Sequence, residues 1–329
     1  MNNLNLHVLR PTRASNFILL LVFSALTNLF ADVAYGISSF DIRLPTKVDN
    51  VIRIREGFWQ DAPEMPALLR AWSGTVALVA SSPEGEGIGS GVIVERMQLE
   101  NGTSIGLIMT ARHVVEGIAS MGKTPQQGLD SSRIFTDLRA VRNRDGHFSY
   151  HQANLLSARI VWSTLSQTRD LGLLAIQLED SSALPEPVPF DRTCDFTESL
   201  SHQILGFGET SQRLLREQKV PITDWKVVTK RWGAGNYLDR RSNVTNVFGL
   251  VEHSTADAIA GFSGGPSINM RGEIIGILSA AANRIGPYLG KEGNHPRVHA
   301  YIVGCQDTKN FFLDARERFM QVSKKLELK

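Results

Sequence analysis

From Trp72 onward the sequence breaks into short runs rich in Val, Ile and Leu, each bounded by Gly, Asn, Asp or Ser. Thr75–Ala80 (TVALVA), Gly89–Glu95 (GSGVIVE) and Ser104–Thr110 (SIGLIMT) are the first three, the latter pair joined by a loop containing Asn101-Gly102. Further runs follow at Ser157–Val161, Leu171–Gln177, His202–Gly206, Asn246–Glu252, Pro266–Asn269, Ile274–Ala280 and His299–Val303. Runs of this length are strands, and turn residues between them make turns rather than crossover helices. Strands so spaced, without alternating long helices, argue for an all-β sandwich or barrel.

Residues 179–197 carry three prolines in a short polar stretch. Proline fixes φ and removes a ladder donor, so this segment reads as a connector between two β units. The expected division is 72–185 for the first unit, 186–199 for the linker and 200–306 for the second. Within 307–329, Phe312, Ala315, Phe319 and Val322 recur at helical spacing, which predicts an amphipathic helix packed on the second unit. Residues 37–71 show no clear period and read as an extended arm or a short helix leading into the main fold.

The first 36 residues differ from the rest: Arg10 and Arg13 precede an apolar run from Phe17 to Phe30, followed by Ala31, Ala34 and Gly36. The run is shorter than the roughly 20 residues that cross a bilayer and suits a signal-peptide core. Ala34-Tyr35-Gly36 is a small-x-small cleavage site, Ala31 competes with it, and an uncleaved anchor is the alternative. Either reading exports the remaining chain to a secreted or periplasmic location.

The 329 residues, 42% hydrophobic and 21% charged, suffice for one large or two medium cores. A net charge of +2 and short basic pairs such as Lys230-Arg231 carry no nucleic-acid signature. Two cysteines, Cys194 and Cys305, leave one intramolecular pairing or two separate buried thiols. Neither has metal-ligand spacing with another Cys or His, and no metal or organic cofactor is implied.

Three segments carry chemistry. Gly261-Phe-Ser-Gly-Gly-Pro266 sets Ser263 among glycines, where the backbone can approach a substrate and turn amides toward a developing negative charge. Thr110-Ala-Arg-His113-Val-Val places His113 where an apolar strand ends. Arg169-Asp170-Leu-Gly-Leu-Leu-Ala-Ile176 puts an acid at the head of another. A hydroxyl nucleophile, a base and a carboxylate that orients the base are the parts of a serine hydrolase. GFSGG also fits the nucleophile elbow of α/β-hydrolases, but that fold orders its triad Ser, acid, His and alternates strands with helices. No Asp stands between Ser263 and His295 or His299, and too little chain follows Ser263 for that fold, so this reading is rejected.

In the order GSGVIV…TARHVV, DLGLLAI and GFSGGP, the chain resembles the trypsin-like serine peptidases over roughly residues 72–306. The resemblance implies two six-stranded antiparallel β-barrels of the chymotrypsin/trypsin type followed by a C-terminal α-helix, with the active site in the cleft between the barrels. It implies a serine endopeptidase with the triad His113, Asp170 and Ser263, and an oxyanion hole from the amides of Gly261 and Ser263. Leu205-Gly-Phe-Gly208 resembles the strand that opens the family's second barrel. Gly276-Ile-Leu-Ser279-Ala-Ala281 resembles the strand lining the primary pocket, where the serine hydroxyl helps hold the triad acid.

Two departures from the pattern matter. Phe262 stands where digestive members carry an Asp that pairs with a freed N-terminus, and no Arg-Ile-Val-Gly-Gly junction lies upstream. No zymogen switch of that kind is expected, so other contacts must organise the oxyanion loop. This lack is shared with HtrA-type bacterial proteases, whose usual PDZ domain residues 307–329 are too short to supply. For specificity, Asp257 falls at the floor of the pocket in an ungapped alignment, with Ser279, Ala280 and Ala281 on its walls. That arrangement favours Arg or Lys before the scissile bond, while a one-residue slip or Arg284 would cancel it. Leu278 occupies the place of a histidine in glutamyl-specific relatives, which argues against an acidic preference. The expected partner is a protein or peptide substrate, with no nucleic acid and no membrane after signal cleavage. The alternative is an inactive trypsin-fold binding module.

Overall fold

The computed structural model describes residues 65–179, 184–194, 201–210, 226–242, 249–254, 258, 261–288 and 291–327. The expected signal segment and most of the 37–71 arm lie outside the described residues.

A short helix, α1 (Met65–Gly74), leads into β1 (Thr75–Ser82), β2 (Gly85–Gln98) and β3 (Ser104–Thr110), which pair antiparallel in sequence order. Helices α2 (Arg112–Ser120) and α3 (Pro125–Asp130) follow, then β4 (Arg133–Arg142), β5 (Phe148–Leu155), β6 (Ala158–Leu165) and β7 (Gly172–Leu178). These strands run β4-β1-β2-β3-β7-β6, with β5 paired to β4. The Leu156 N–H, between β5 and β6, donates to Ile134 C=O on β4 at 2.8 Å, drawing the two ends of the path together.

The second unit comprises β8 (Ser201–Thr210), β9 (Lys226–Arg241), β10 (Val251–Ser254), β11 (Pro266–Ile268), β12 (Ile274–Tyr288) and β13 (Lys291–Gly304). The pairings β8-β9-β10-β13-β12-β11-β8 return to their start, so this is a closed six-stranded antiparallel barrel. Closure removes the unpaired edge an open sheet would present. The expected run at 246–252 begins outside the described residues, and its described part is β10.

The period of two in β1 explains how the first unit packs on both faces. Val76, Leu78 and Ala80 face one cluster with Ile93, Ile108, Val114 and Leu174. Ala77 and Val79 face another with Phe135, Phe148, Phe207 and Val228, and so join the two units. β3 and β7 divide likewise, Ile108 and Leu174 to the first cluster, Leu107, Met109 and Leu173 to a third under the C-terminal helix. Backbone pairing of Arg139–Arg142 on β4 with Lys226–Thr229 on β9 makes the sheet continuous between units.

Lys230 is buried at the same junction. Its Nζ donates to Trp72 C=O at 2.9 Å and to Thr136 C=O at 2.7 Å, between the rings of Trp72 and Phe207. A buried ammonium needs such donors' partners and aromatic faces to offset its lost hydration. This single side chain links α1, β4 and β8 to its own strand, β9.

Helix α4 (Cys305–Glu327) buries Phe312, Ala315 and Phe319 as its spacing predicts, with Phe311 beside them, whereas Val322 is 37% exposed. Its seat reaches beyond the second unit, on which the sequence expects it to pack. Arg316 forms a two-bond ion pair with Glu95 on β2 (2.6 and 2.8 Å), and Phe319 meets Trp162 on β6 at 5.4 Å. The cluster beneath it draws on Leu107 and Leu173 as well as on Ile274 and Val303, so the helix spans both units. Its first residue is joined to the linker by the Cys194–Cys305 disulfide, which decides the pairing the sequence left open.

The two cysteines are 111 residues apart, and the chain-entropy model assigns a loop of that size about 4–5 kcal/mol. Urea unfolding of the oxidised protein beside its Cys194→Ser/Cys305→Ser variant should show a loss of stability up to that amount. Equal midpoints would show that the bridge adds nothing to the fold.

Candidate active site

β3 ends at Thr110, and Ala111, in extended conformation, caps α2. The chain thus turns from strand to helix within one residue and holds His113 in the first helical turn, its side chain 38% exposed. Val114, Val115 and Ile118 anchor the helix in the first core. Arg112 bonds Ser166 C=O at 3.0 Å and Glu116 at 2.8 Å, tying the helix start to the loop that precedes β7.

Asp170 closes that loop and is 5% exposed. One carboxylate oxygen, Oδ1, accepts the His113 backbone N–H at 3.0 Å. The other, Oδ2, lies 2.7 Å from His113 Nδ1 and accepts the Ser279 hydroxyl at 2.6 Å. Burial pushes the Asp170 pKa upward, but the bond to the His113 ring, its charge, the Ser279 hydroxyl and the His113 amide together hold it below the usual carboxylate value. An ionised carboxylate only accepts, so the proton of this bond belongs on His113 Nδ1.

Ser279 on β12 also connects to the candidate nucleophile. Its carbonyl accepts the Ser263 hydroxyl at 3.5 Å, while its own hydroxyl serves Asp170. Ser263 itself sits half-buried between Gly261 (φ +94°) and Gly264 (φ +86°), left-handed positions that strain any residue with a side chain. At Gly264 a Cβ would fall 2.1 Å from Thr110 Oγ1, so this turn must also be bare to lie against β3. The Gly264 N–H donates to Leu278 C=O and the Leu278 N–H to Gly265 C=O, fixing the loop to β12. Among the described residues the amides of Gly261 and Ser263 donate to no backbone carbonyl.

The structure thus joins His113 and Asp170 directly and Asp170 to Ser279, while the Ser263 hydroxyl meets the Ser279 carbonyl and, among the described residues, is not bonded to His113. Ala280, half-buried, and Ala281, exposed, continue the same strand. Asp257 lies outside the described residues, as does the side chain of Arg284. Sequence reasoning read Gly89–Glu95 only as a strand and missed Ser90, which is fully buried and touches the Ser263 loop. The signal was a serine flanked by glycines within an otherwise apolar run.

The model of the trypsin-like peptidase domain matches residues 89–277, from the strand of Ser90 to that of Ser279. The chain belongs to this family. Its reaction class is that of a serine peptidase. No curated protein matches the chain in sequence. Among solved structures, the active form of the Rv3671c protease from M. tuberculosis is similar at 13% identity and a TM-score of 0.42, with 75% of this chain and 83% of that one covered. An inactive form of the same protease carrying a serine-to-alanine substitution gives 14% identity and 0.39, with 74% and 87% covered.

A carboxylate with a depressed native pKa adds stability that is complete above its unfolded value of about 3.9 and is lost as pH falls through the native value. Ser279→Ala removes one of the bonds that depress Asp170. The wild type should therefore unfold at higher urea than Ser279→Ala at pH 7, with the gap narrowing below about pH 4. A gap independent of pH would assign Ser279 to packing rather than to the ionised acid.

Proposed function

We propose that this chain is an exported endopeptidase that cleaves peptide bonds through an acyl-enzyme on Ser263. The observation that carries the reading is the connection through Ser279, which bonds Asp170 with its hydroxyl and Ser263 with its carbonyl. It supports a triad whose acid, base and nucleophile come from the loop before β7, from α2 and from the β10–β11 loop.

In this mechanism His113 Nε2 takes the Ser263 proton as Oγ attacks the scissile carbonyl. Asp170, ionised and bonded to Nδ1, holds the tautomer and stabilises the imidazolium. The amides of Gly261 and Ser263 receive the oxyanion. His113 then protonates the leaving amine, and the same base activates water to release the acyl group.

The preference for Arg or Lys rests on Asp257 in the sequence, with Ala280 and Ala281 keeping the pocket wall small. Export is supported by Arg10, Arg13 and the apolar run to Phe30. The Cys194–Cys305 bridge fits an oxidising compartment.

Residues 37–329 should cut a diverse peptide library read by mass spectrometry, with Ser263→Ala slower by about 10⁶-fold and Asp170→Asn by about 10⁴-fold. Cuts after Arg and Lys that vanish in Ser263→Ala support Asp257 as the pocket floor. Cuts after other residues keep the mechanism and discard that pocket. Cleavage that persists at the wild-type rate in Ser263→Ala excludes the scheme.

A further inference from the structure

A trypsin-like loop without the usual Asp before its serine needs another means of holding the oxyanion-binding conformation. Phe262 occupies that place, is 2% exposed, and packs with Ile204, Ala258, Ile275 and Leu278. Apolar packing fixes where the loop sits, but it does not orient the peptide planes on either side. Orientation requires directional bonds to the loop's own carbonyls.

Ser90 supplies them. It lies on β2 of the first unit, fully buried, and all its polar groups are engaged. Its N–H donates to Ser263 C=O at 2.8 Å, and its hydroxyl donates to Gly261 C=O at 2.7 Å. The same hydroxyl accepts the Phe207 N–H of β8 at 2.8 Å, which fixes the direction of its proton. Its carbonyl accepts the Thr110 hydroxyl at 2.6 Å. One residue of the first unit thus grips both ends of the three-residue segment that holds the nucleophile, and is itself braced by the second unit's first strand.

Resting on the peptidase reading above, we infer that Ser90 is a positioning residue for the oxyanion site, doing with a neutral hydroxyl what an ion pair to the loop acid does elsewhere. With the Gly261 and Ser263 carbonyls held on β2, the peptides flanking the Phe262–Ser263 peptide are fixed, and the Gly265 N–H, donating to Phe262 C=O at 2.8 Å, holds that peptide between them, so its Ser263 amide stays available to the developing oxyanion. Ser90 bonds neither His113 nor Asp170 among the described residues, so its effect is confined to transition-state charge and leaves the base untouched. Because the brace is part of the fold, the site is organised without cleavage of the chain.

The test compares wild type with Ser90→Ala on a peptide amide substrate found by the library. The measurements are kcat, KM, the pH dependence of kcat/KM and inhibition by a peptide aldehyde, whose hemiacetal oxygen occupies the oxyanion site. Ser90→Ala should lower kcat by about 10- to 100-fold, less than loss of a direct donor. KM should stay within about 2-fold, the acid midpoint should not move, and aldehyde affinity should fall in step with kcat. Unchanged kcat and aldehyde affinity in a folded variant would overturn the assignment, as would a shift of the acid midpoint. Should Ser90→Ala lose its cooperative melting transition, Ser90→Cys, with a weaker donor of similar shape, takes its place. Wild-type kcat and aldehyde affinity in that variant would overturn the assignment, and failure of both to fold would make Ser90 a structural residue only. Absence of Ser263-dependent turnover in the wild type itself would instead overturn the peptidase reading, and this assignment with it.

Discussion

A nearly buried carboxylate that stays ionised must be met by donors on every side, and Asp170 sets that demand at the junction of the two units. Its three partners come from two elements far apart in sequence: the backbone and ring of His113 on α2, and the hydroxyl of Ser279 on β12. Leaving such a group unpaired costs several kcal/mol, more than a surface contact contributes. The bonds therefore act as a distance constraint on the fold. β3 must stop where α2 can begin, β7 must start beneath it, and the second barrel must bring β12 to the same point.

The rest of the structure serves to hold that junction. Ala77 and Val79 extend the first unit's packing onto Phe207 and Val228 of the second, and Lys230 ties three elements beside them. On the far side, α4 covers strands from both units, anchored by Arg316 to Glu95 and by the disulfide to the linker. Its Asp307 also receives Arg169 at 2.7 Å, so the residue before Asp170 is steadied from the helix. Ser90 completes the set from the first unit by holding the loop of Ser263. Two β units that share core clusters are in this way committed to one relative arrangement at the site.

Much of this was legible in the sequence because burial and chemistry there coincide with local pattern. TVALVA, SIGLIMT and LGLLAI are buried on both faces and read as continuous apolar runs. His113, Asp170 and Ser263 announce themselves by standing where such runs start or stop. What escaped was polar or long-range. β5 (FSYHQANL) exposes nearly every residue after Phe148 and has no apolar alternation to detect. β4 and β9 carry several arginines, whose charge masks their strand character until pairing is known. The seat of α4 depends on Glu95, more than two hundred residues earlier, which no local period encodes. Ser90 was hidden for the same reason, since its hydroxyl acts across 171 positions of sequence.

The central claim, that the bonds around Asp170 make Ser263 a nucleophile, is tested most directly by a fluorophosphonate followed by peptide mapping. The account requires a single adduct, on Ser263, formed by the wild type and lost in His113→Ala. An adduct on another residue, or none on the folded wild-type protein, would contradict it and leave the trypsin-like fold as a binding scaffold.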